Sequence, residues 1–289
     1  MISSEWIEAA DRVFYRRYEP FDVNVVAVLG ESGLALVDTR AGLGEAREVR
    51  EHLRGLTSLP VRWVVNTHVH FDHVWGNAEF VAPRQQPPAA LWAHEATAAA
   101  MRHAATDPGA AEFKARLAAQ SPEWAASMAE LEEVIPDHLV TGDLTQRLDL
   151  GGGRVLELRR LGRGHTDGDL LIRVPDANTV LTGDLVEQSG PPAFGPDSFP
   201  LDWPDTLDAL LDWTAPGTVY VPGHGTAVDR RFVTDQRDAV HHVAEAFRTA
   251  HADGATPAET LASSRLPFSA KELEHAAARA WAQLDGRIH

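Results

Sequence analysis

Residues 66–77 read NTHVHFDHVWGN and place His68, His70, Asp72 and His73 within six positions. Imidazole nitrogen and carboxylate oxygen are the ligands that suit zinc, and a hydrolytic zinc site keeps a coordination position for water. In an extended segment alternate side chains share a direction, so His68 and His70 can grip one ion while Asp72 and His73 turn toward a neighbouring one. The stretch therefore reads as halves of two metal sites, each needing further ligands from elsewhere in the chain. It begins where 61–65, VRWVV, an apolar run of strand length interrupted only by Arg62, stops. That puts the chemistry on a loop at a strand's C-terminal end, where side chains converge without disturbing a core.

Outward from the motif, 23–29 and 34–38 read as strands joined by the turn GESG, and a helix is expected over 43–56 from the helical spacing of Leu43, Ala46, Val49 and Leu53. A second unit has the same character. Short strands are expected at 148–150, 154–161, 169–174 and 179–181, joined by GGG, GRGHTDG and PDAN. Helix at 204–213, strand at 218–221 and a long helix at 230–250 follow. Two strand-rich halves, each with helices, predict two sheets packed face to face with helices outside. Between them, residues 89–138 are rich in Ala, Glu and Met and read as a helical insertion, about 94–138, beside the site. The expected division is a catalytic domain over 1–255 and a helical C-terminal appendage over 256–289. The appendage has two short helical patterns, with Ser269 as a cap for the second. It reads equally as an accessory subdomain or as a contact for a homo-oligomer.

Composition narrows the partners. With 26 Lys plus Arg against 42 Asp plus Glu, the formal charge of −16 repels a phosphate backbone, and no basic run offsets it. No nucleic-acid partner is expected. There is no cysteine, so any metal is held by nitrogen and oxygen. The N-terminal stretch lacks an apolar run of signal-peptide length and no later stretch approaches about 18 apolar residues, so no membrane partner and a cytoplasmic location are expected.

Three further residues share the motif's context. His165 lies in GRGHTDGD between two strands, Asp184 ends the apolar run TVLTGD, and His224 lies in YVPGHG after a buried strand. The histidines at 94, 103, 241, 242 and 251 fall mostly in helical segments without a partner at ligand spacing. A single Gly-His or Gly-Asp is an ordinary turn. HxHxDH followed in order by GHT, TGD and PGHG resembles the metallo-β-lactamase-fold hydrolase superfamily, with motifs spanning about residues 23–250. The resemblance implies a four-layer αββα sandwich with a dinuclear metal site at one edge of its sheets. On it, His68, His70 and His165 hold the first ion, Asp72, His73 and His224 the second, and Asp184 bridges both. Asp38, at the end of LALVDT, matches a position that supports the site from behind its ligands.

The implied activity is that of a hydrolase holding two Zn²⁺, whose metal-bridging hydroxide attacks a small ester, thioester or lactone-type carbonyl, with Asp72 orienting the nucleophile and moving a proton. Departures from subfamily patterns bear on the substrate. Cysteine-ligand lactamases are excluded, and an all-His/Asp lactamase usually lacks the bridging aspartate. The tyrosine that homoserine lactonases carry near the site has no match among Tyr15, Tyr18 and Tyr220. A glyoxalase II-like hydrolase fits the motifs, without a convincing thiol-carrier site in 257–289. The substrate mouth is assigned to 187–203, where Phe194, Phe199 and Trp203 offer an apolar wall. Two alternatives stay open: a mononuclear iron dioxygenase of the persulfide dioxygenase type using His70, His165 and Asp184 or a similar subset, and a non-catalytic metal-binding member of the fold.

Overall fold

A computed structural model describes residues 5–263 and 265–288. The chain opens with strands β1 (Ile7–Ala10), β2 (Val13–Tyr18), β3 (Val23–Leu29) and β4 (Leu34–Val37), then helix α1 (Leu43–Leu56), β5 (Val61–Val65) and the single helical turn α2 (Phe71–Val74). Strand β6 (Ala90–His94) leads into helices α3 (Glu95–Ala104), α4 (Pro108–Ala118) and α5 (Pro122–Glu130), and β7 (His138–Val140) closes that segment. The second half runs β8 (Gln146–Gly151), β9 (Arg154–Arg160), β10 (Leu170–Val174), β11 (Thr179–Glu187), α6 (Trp203–Trp213), β12 (Val219–His224) and α7 (Arg230–Ala252). Helices α8 (Pro257–Ser263) and α9 (Glu274–Leu284) follow.

Hydrogen bonding links the strands in the order β7-β6-β5-β4-β3-β12-β11-β10-β9-β8, with β2 branching from β3 and β1 from β2. The two halves meet at one residue pair, Val23 with His224, so the ladder folds over on itself there. Val13, Val26, Val28, Val37 and Val65 from the first half pack against Leu148, Leu156, Leu158, Ile172 and Val221 from the second. That shared apolar layer is the inside of the sandwich. The outer face of the first half is covered by α1 through Ala46, Val49 and Leu53, and that of the second by α6, α7 and α9 through Leu207, Leu210, Val240, Phe247 and Trp281. The four-layer αββα order with helices at the C-terminal end is the expected one. Each buried Leu or Val in these layers contributes about 1.5–3 kcal/mol.

Strands β3 and β5 and helix α1 occupy the expected residues, because each is a strongly patterned run whose period leaves one choice. Strands β1 and β2 have no counterpart in the sequence reading. VFYRRY mixes arginines into an alternating strand whose partners lie at 7–10 and 23–28. β6 occupies the start of the connecting segment 89–138, just ahead of the part expected to be helical, and is likewise unexpected as a strand. ALWAH has helix-compatible residues, yet parallel neighbours on both sides take it into the sheet. The helical part of the insertion is therefore 95–130. It rests on the core edge lightly: α5 has no fully buried residue and α4 only Leu117, while Phe113, Trp124 and Met128 pack half-buried against Val74 and Trp75. Ser269 and Glu272 cap each other's backbone N–H one turn before α9 begins. No helix among the described residues is long and apolar enough to cross a membrane.

Candidate metal centre

The seven predicted residues, scattered over 157 positions from His68 to His224, converge at one edge of the sandwich. His68 and His70 leave the end of β5, and the helical turn α2 places Asp72 and His73 side by side. This differs from an extended loop: the first turn of helix, not strand alternation, separates the second pair from the first. His165 comes from the loop between β9 and β10, and His224 ends β12. Asp184 lies inside β11, beyond the three strand residues expected there, where the register with β12 shifts at Gly183. Gly183 takes φ +51, and a Cβ on it would meet Thr67 at 2.7 Å. A Cβ on Gly223 would overlap Asp184 Oδ1, so the glycines of TGD and PGHG are required by close approach as much as by turning.

Two groups form around the shared edge. One ligand atom each from His68, His70, His165 and Asp184 lie within 4.8 Å of one another, as do those of Asp72, His73 and His224. His165 Nε2 is 2.8 Å from His70 Nδ1 and 3.4 Å from Asp184 Oδ2. His73 Nε2 is 3.3 Å from His224 Nε2, 3.4 Å from Asp184 Oδ1 and 3.6 Å from Asp72 Oδ2. Asp184 thus stands between the groups: Oδ2 faces His165 of the first and, at 3.3 Å, His224 of the second, while Oδ1 faces His73. Two ligands at about 2.0–2.1 Å from a tetrahedral ion stand ~3.3 Å apart, which matches most of these separations.

The nitrogen of each imidazole that faces away from the cluster has its own partner. His73 Nδ1 donates to Asp38 Oδ2 at 2.8 Å, His224 Nδ1 to the Phe21 carbonyl at 2.8 Å, and His165 Nδ1 to the Ala193 carbonyl at 2.9 Å. His70 Nε2 meets Asp197 Oδ2 at 3.0 Å. The Thr67 hydroxyl donates to Asp38 Oδ2 and lies 3.0 Å from His68 Nδ1, from which it accepts. Each outward nitrogen thereby has a partner for its N–H, which leaves the inward nitrogen as the one to offer a lone pair to an ion, the arrangement metal-binding histidines require. Asp38 lies directly behind the cluster, with φ +63, and binds both the Thr67 N–H and His73.

Two buried inward atoms, His68 Nε2 and Asp184 Oδ1, have no hydrogen-bond partner. Such orphans are costly unless something else satisfies them, and a cation seated between the two would do so. The charges agree. Burial alone would depress His73 and His224, but Asp184 and Asp72 overcome it and hold them at about 9 and about 11. Asp184 is pushed up by burial, and His224, His73 and His68 pull it well below the usual carboxylate range. His165 falls to about 4, through burial and the neighbouring His70. The donor set, the orphaned atoms and the demand for positive charge all fit divalent ions.

Beside the cluster opens a cavity of about 980 Å³. Phe71, Trp75, Met101 and Phe113 form an apolar wall, the 189–197 segment forms the opposite one, and Lys271 and His275 from the C-terminal region stand at its border. Of the three aromatics expected to face substrate, only Phe194 lines this cavity. Trp203 is fully buried with its indole N–H donated to the Leu185 carbonyl, and Phe199 is packed between Arg163 and Arg279. The helical insertion contributes more of the wall than the loop aromatics do. Two carboxylates escaped the sequence reading. Glu187, buried and within ligand reach of Asp184 and His224, is pushed to about 7 by burial and by Asp184. Its signal was available, since it ends the strand that carries Asp184. Asp197 had none: nothing in a proline-rich loop announces a partner 127 positions away.

The profile of the metallo-beta-lactamase superfamily matches residues 18–224. Among solved structures, the stereoselective inverting sec-alkylsulfatase Pisa1 from Pseudomonas sp. superposes with a TM-score of 0.76 at 20% identity, over 98% of this chain and 50% of that one. This chain spans about half the length of that alkylsulfatase. A metallo-beta-lactamase from Pontibacter korlensis superposes with a TM-score of 0.60 at 22% identity, over 82% of this chain and 98% of its own. At these identities the likeness carries the fold alone. A search of curated proteins finds no match. Profile, fold and the convergence of the four motifs agree: the chain belongs to the metallo-beta-lactamase superfamily.

Proposed function

We propose that this chain hydrolyses a small ester, thioester or lactone carrying an apolar acyl group, with two Zn²⁺ held by His68, His70, His165, Asp72, His73, His224 and the shared Asp184. The observation that carries the reading is the pair of buried ligand groups meeting at Asp184, at the floor of a 980 Å³ cavity. When bound, two divalent ions lower the pKa of water toward neutrality and polarise a carbonyl. The chain does the rest. Asp72 lines the cavity and stands 3.5 Å from His224 Nε2, so its carboxylate is placed to orient the attacking water and pass its proton to the leaving group. Phe71, Trp75, Met101 and Phe113 take the acyl chain out of water, and the enclosure strengthens every charge interaction at the reacting carbon.

A sulfate ester is the second reading. One observation favours it: the alkylsulfatase likeness extends over 98% of the chain, C-terminal helices included, against 82% for the lactamase. A mononuclear iron oxygenase built on His70, His165 and Asp184 would leave Asp72, His73 and His224 without a task, and a non-catalytic role would leave the cavity without one. The test is metal analysis of protein purified without chelators, followed by a panel of p-nitrophenyl acyl esters, acyl thioesters, lactones and secondary alkyl sulfates. Close to two zinc ions per chain with turnover of an acyl substrate is the expected result. About one iron per chain sinks the two-ion reading, and turnover confined to sulfates replaces attack on an acyl carbon by cleavage of a sulfate ester.

A further inference from the structure

The two ligand groups share Asp38, which reaches His73 directly and His68 through Thr67, but otherwise lean on different parts of the molecule. Behind the second group stand core elements: Asp38 at the end of β4 holds His73, and the Phe21 carbonyl beside β3 holds His224. Behind the first group stands the cavity wall. Two of its three histidines take their outward hydrogen bond from one short segment, His165 from the Ala193 carbonyl and His70 from the Asp197 carboxylate. The same segment, 189–197, borders the cavity through Pro191, Pro192, Phe194 and Gly195.

That segment is in turn fastened by the C-terminal helix. Arg279 on α9 donates to the Ser198 carbonyl at 2.6 Å and lies over the Phe199 ring, which Arg163 covers from 4.2 Å. Gln283, one turn on, accepts from the Leu201 N–H and donates to Asp202. Upstream of α9, Phe268 packs on Phe194, with ring centroids 6.3 Å apart. The tie therefore runs from α9 through Arg279 to the Ser198 carbonyl, and Asp197, the residue before Ser198, meets His70.

We propose that Asp197 is a positioning residue for the His68/His70/His165 group alone, and that α9, by clamping its loop through Arg279, sets how tightly that group holds its ion. The inference rests on the two-ion reading for its purpose, since it makes one ion's retention depend on the wall that substrate touches. Asp197 reaches the ion only through His70: its charge fixes the proton on Nε2 and leaves Nδ1, 2.8 Å from His165 Nε2, as the lone pair. Nothing on the loop side holds the outward nitrogen of His73 or His224, so the second group is indifferent to it.

The experiment measures cobalt affinity of metal-stripped protein by absorption titration, without reference to activity. Asp197→Ala is combined with His224→Ala, which leaves the first group, and separately with His165→Ala, which leaves the second. We expect a loss of tenfold or more in the His224→Ala background and an unchanged affinity in the His165→Ala background. Asp197→Asn, which keeps the shape and one acceptor oxygen, is expected to show a smaller loss in the same background, and it decides the matter if the alanine variant does not fold. Arg279→Ala, which contacts no ligand, is expected to follow the same pattern. Equal losses in both backgrounds, or none in either, overturn the proposal. A wild-type protein that binds one ion overturns the two-ion reading instead, and the Asp197 comparison still stands or falls on the His224→Ala background.

Discussion

Replacing Asp38 by Asn changes one atom and nothing in the shape of the site. The carboxylate accepts three hydrogen bonds, from the Thr67 N–H at 2.9 Å, the Thr67 hydroxyl at 2.7 Å and His73 Nδ1 at 2.8 Å. Asparagine tolerates the left-handed backbone that Asp38 adopts, so no strain is added. Its amide, however, has one acceptor end. Turned with oxygen toward the Thr67 N–H, it aims an N–H at His73 Nδ1; turned the other way, it aims one at the Thr67 N–H. Either way a buried donor faces a donor, at a cost of about 1–3 kcal/mol. In the first orientation the imidazole escapes by moving its proton to Nε2, the atom 3.4 Å from Asp184 Oδ1 that an ion would need as a lone pair. The expected result is a protein about 1–3 kcal/mol less stable in urea and weaker in zinc affinity at the His73 group by roughly 10–100-fold. Zinc titration calorimetry on metal-stripped protein, beside urea unfolding, measures both. Affinity within twofold of wild type would refute the claim that Asp38 sets the tautomer of His73.

Truncating Phe113 to Ala removes part of the apolar cavity wall without touching a ligand, and should raise KM for long-chain acyl substrates by about tenfold, from the loss of ~1.5 kcal/mol of apolar burial. Zinc stoichiometry and the KM of an acetyl ester should not move; a loss of both metal and acetyl hydrolysis would show a structural role instead. Stripping the metal should lower the thermal midpoint by on the order of 10 °C when the free ion stands about a thousandfold above Kd, as differential scanning calorimetry would read. In the metal-free protein His73 and His224 have folded pKa values of about 9 and about 11, above the unfolded value near 6.5. Their contribution to stability is complete below pH 6.5 and is lost as pH rises through 9 and then 11. Zinc has to displace those protons, so binding near pH 7 should acidify a weakly buffered solution and the apparent affinity should rise with pH. An affinity that is flat or falls between pH 7 and 9 would contradict this charge assignment.

The residues legible in the sequence are those whose neighbours along the chain declare them. HVHFDH, GHT, TGD and PGHG each put a ligand type at the end of an apolar run, and the seven side chains so marked come together in the folded chain. Strands β3 and β5 and helix α1 are legible for a related reason: their periodicity is internal, and burial on one face follows from it. What escaped depends on partners outside the stretch itself. VFYRRY becomes a strand because β3 offers it an edge, and ALWAH because β5 and β7 enclose it. Phe199 and Trp203 read as a substrate wall because aromatics in a loop look available, whereas arginines from two distant segments and a strand carbonyl claim them first.

By itself, then, the sequence determined the family, the order of the layers and the kind of ligand at each strand end, because those follow from local pattern and from the chemistry of nitrogen and oxygen donors. Only the tertiary structure decided that Asp184 stands between the two groups, that the insertion supplies part of the cavity wall, and that a C-terminal helix bonds the segment whose Asp197 meets His70. Those are relations between residues tens to more than a hundred positions apart, and distance in space between such residues is set by the packing of the whole sandwich, which no short stretch of chain contains.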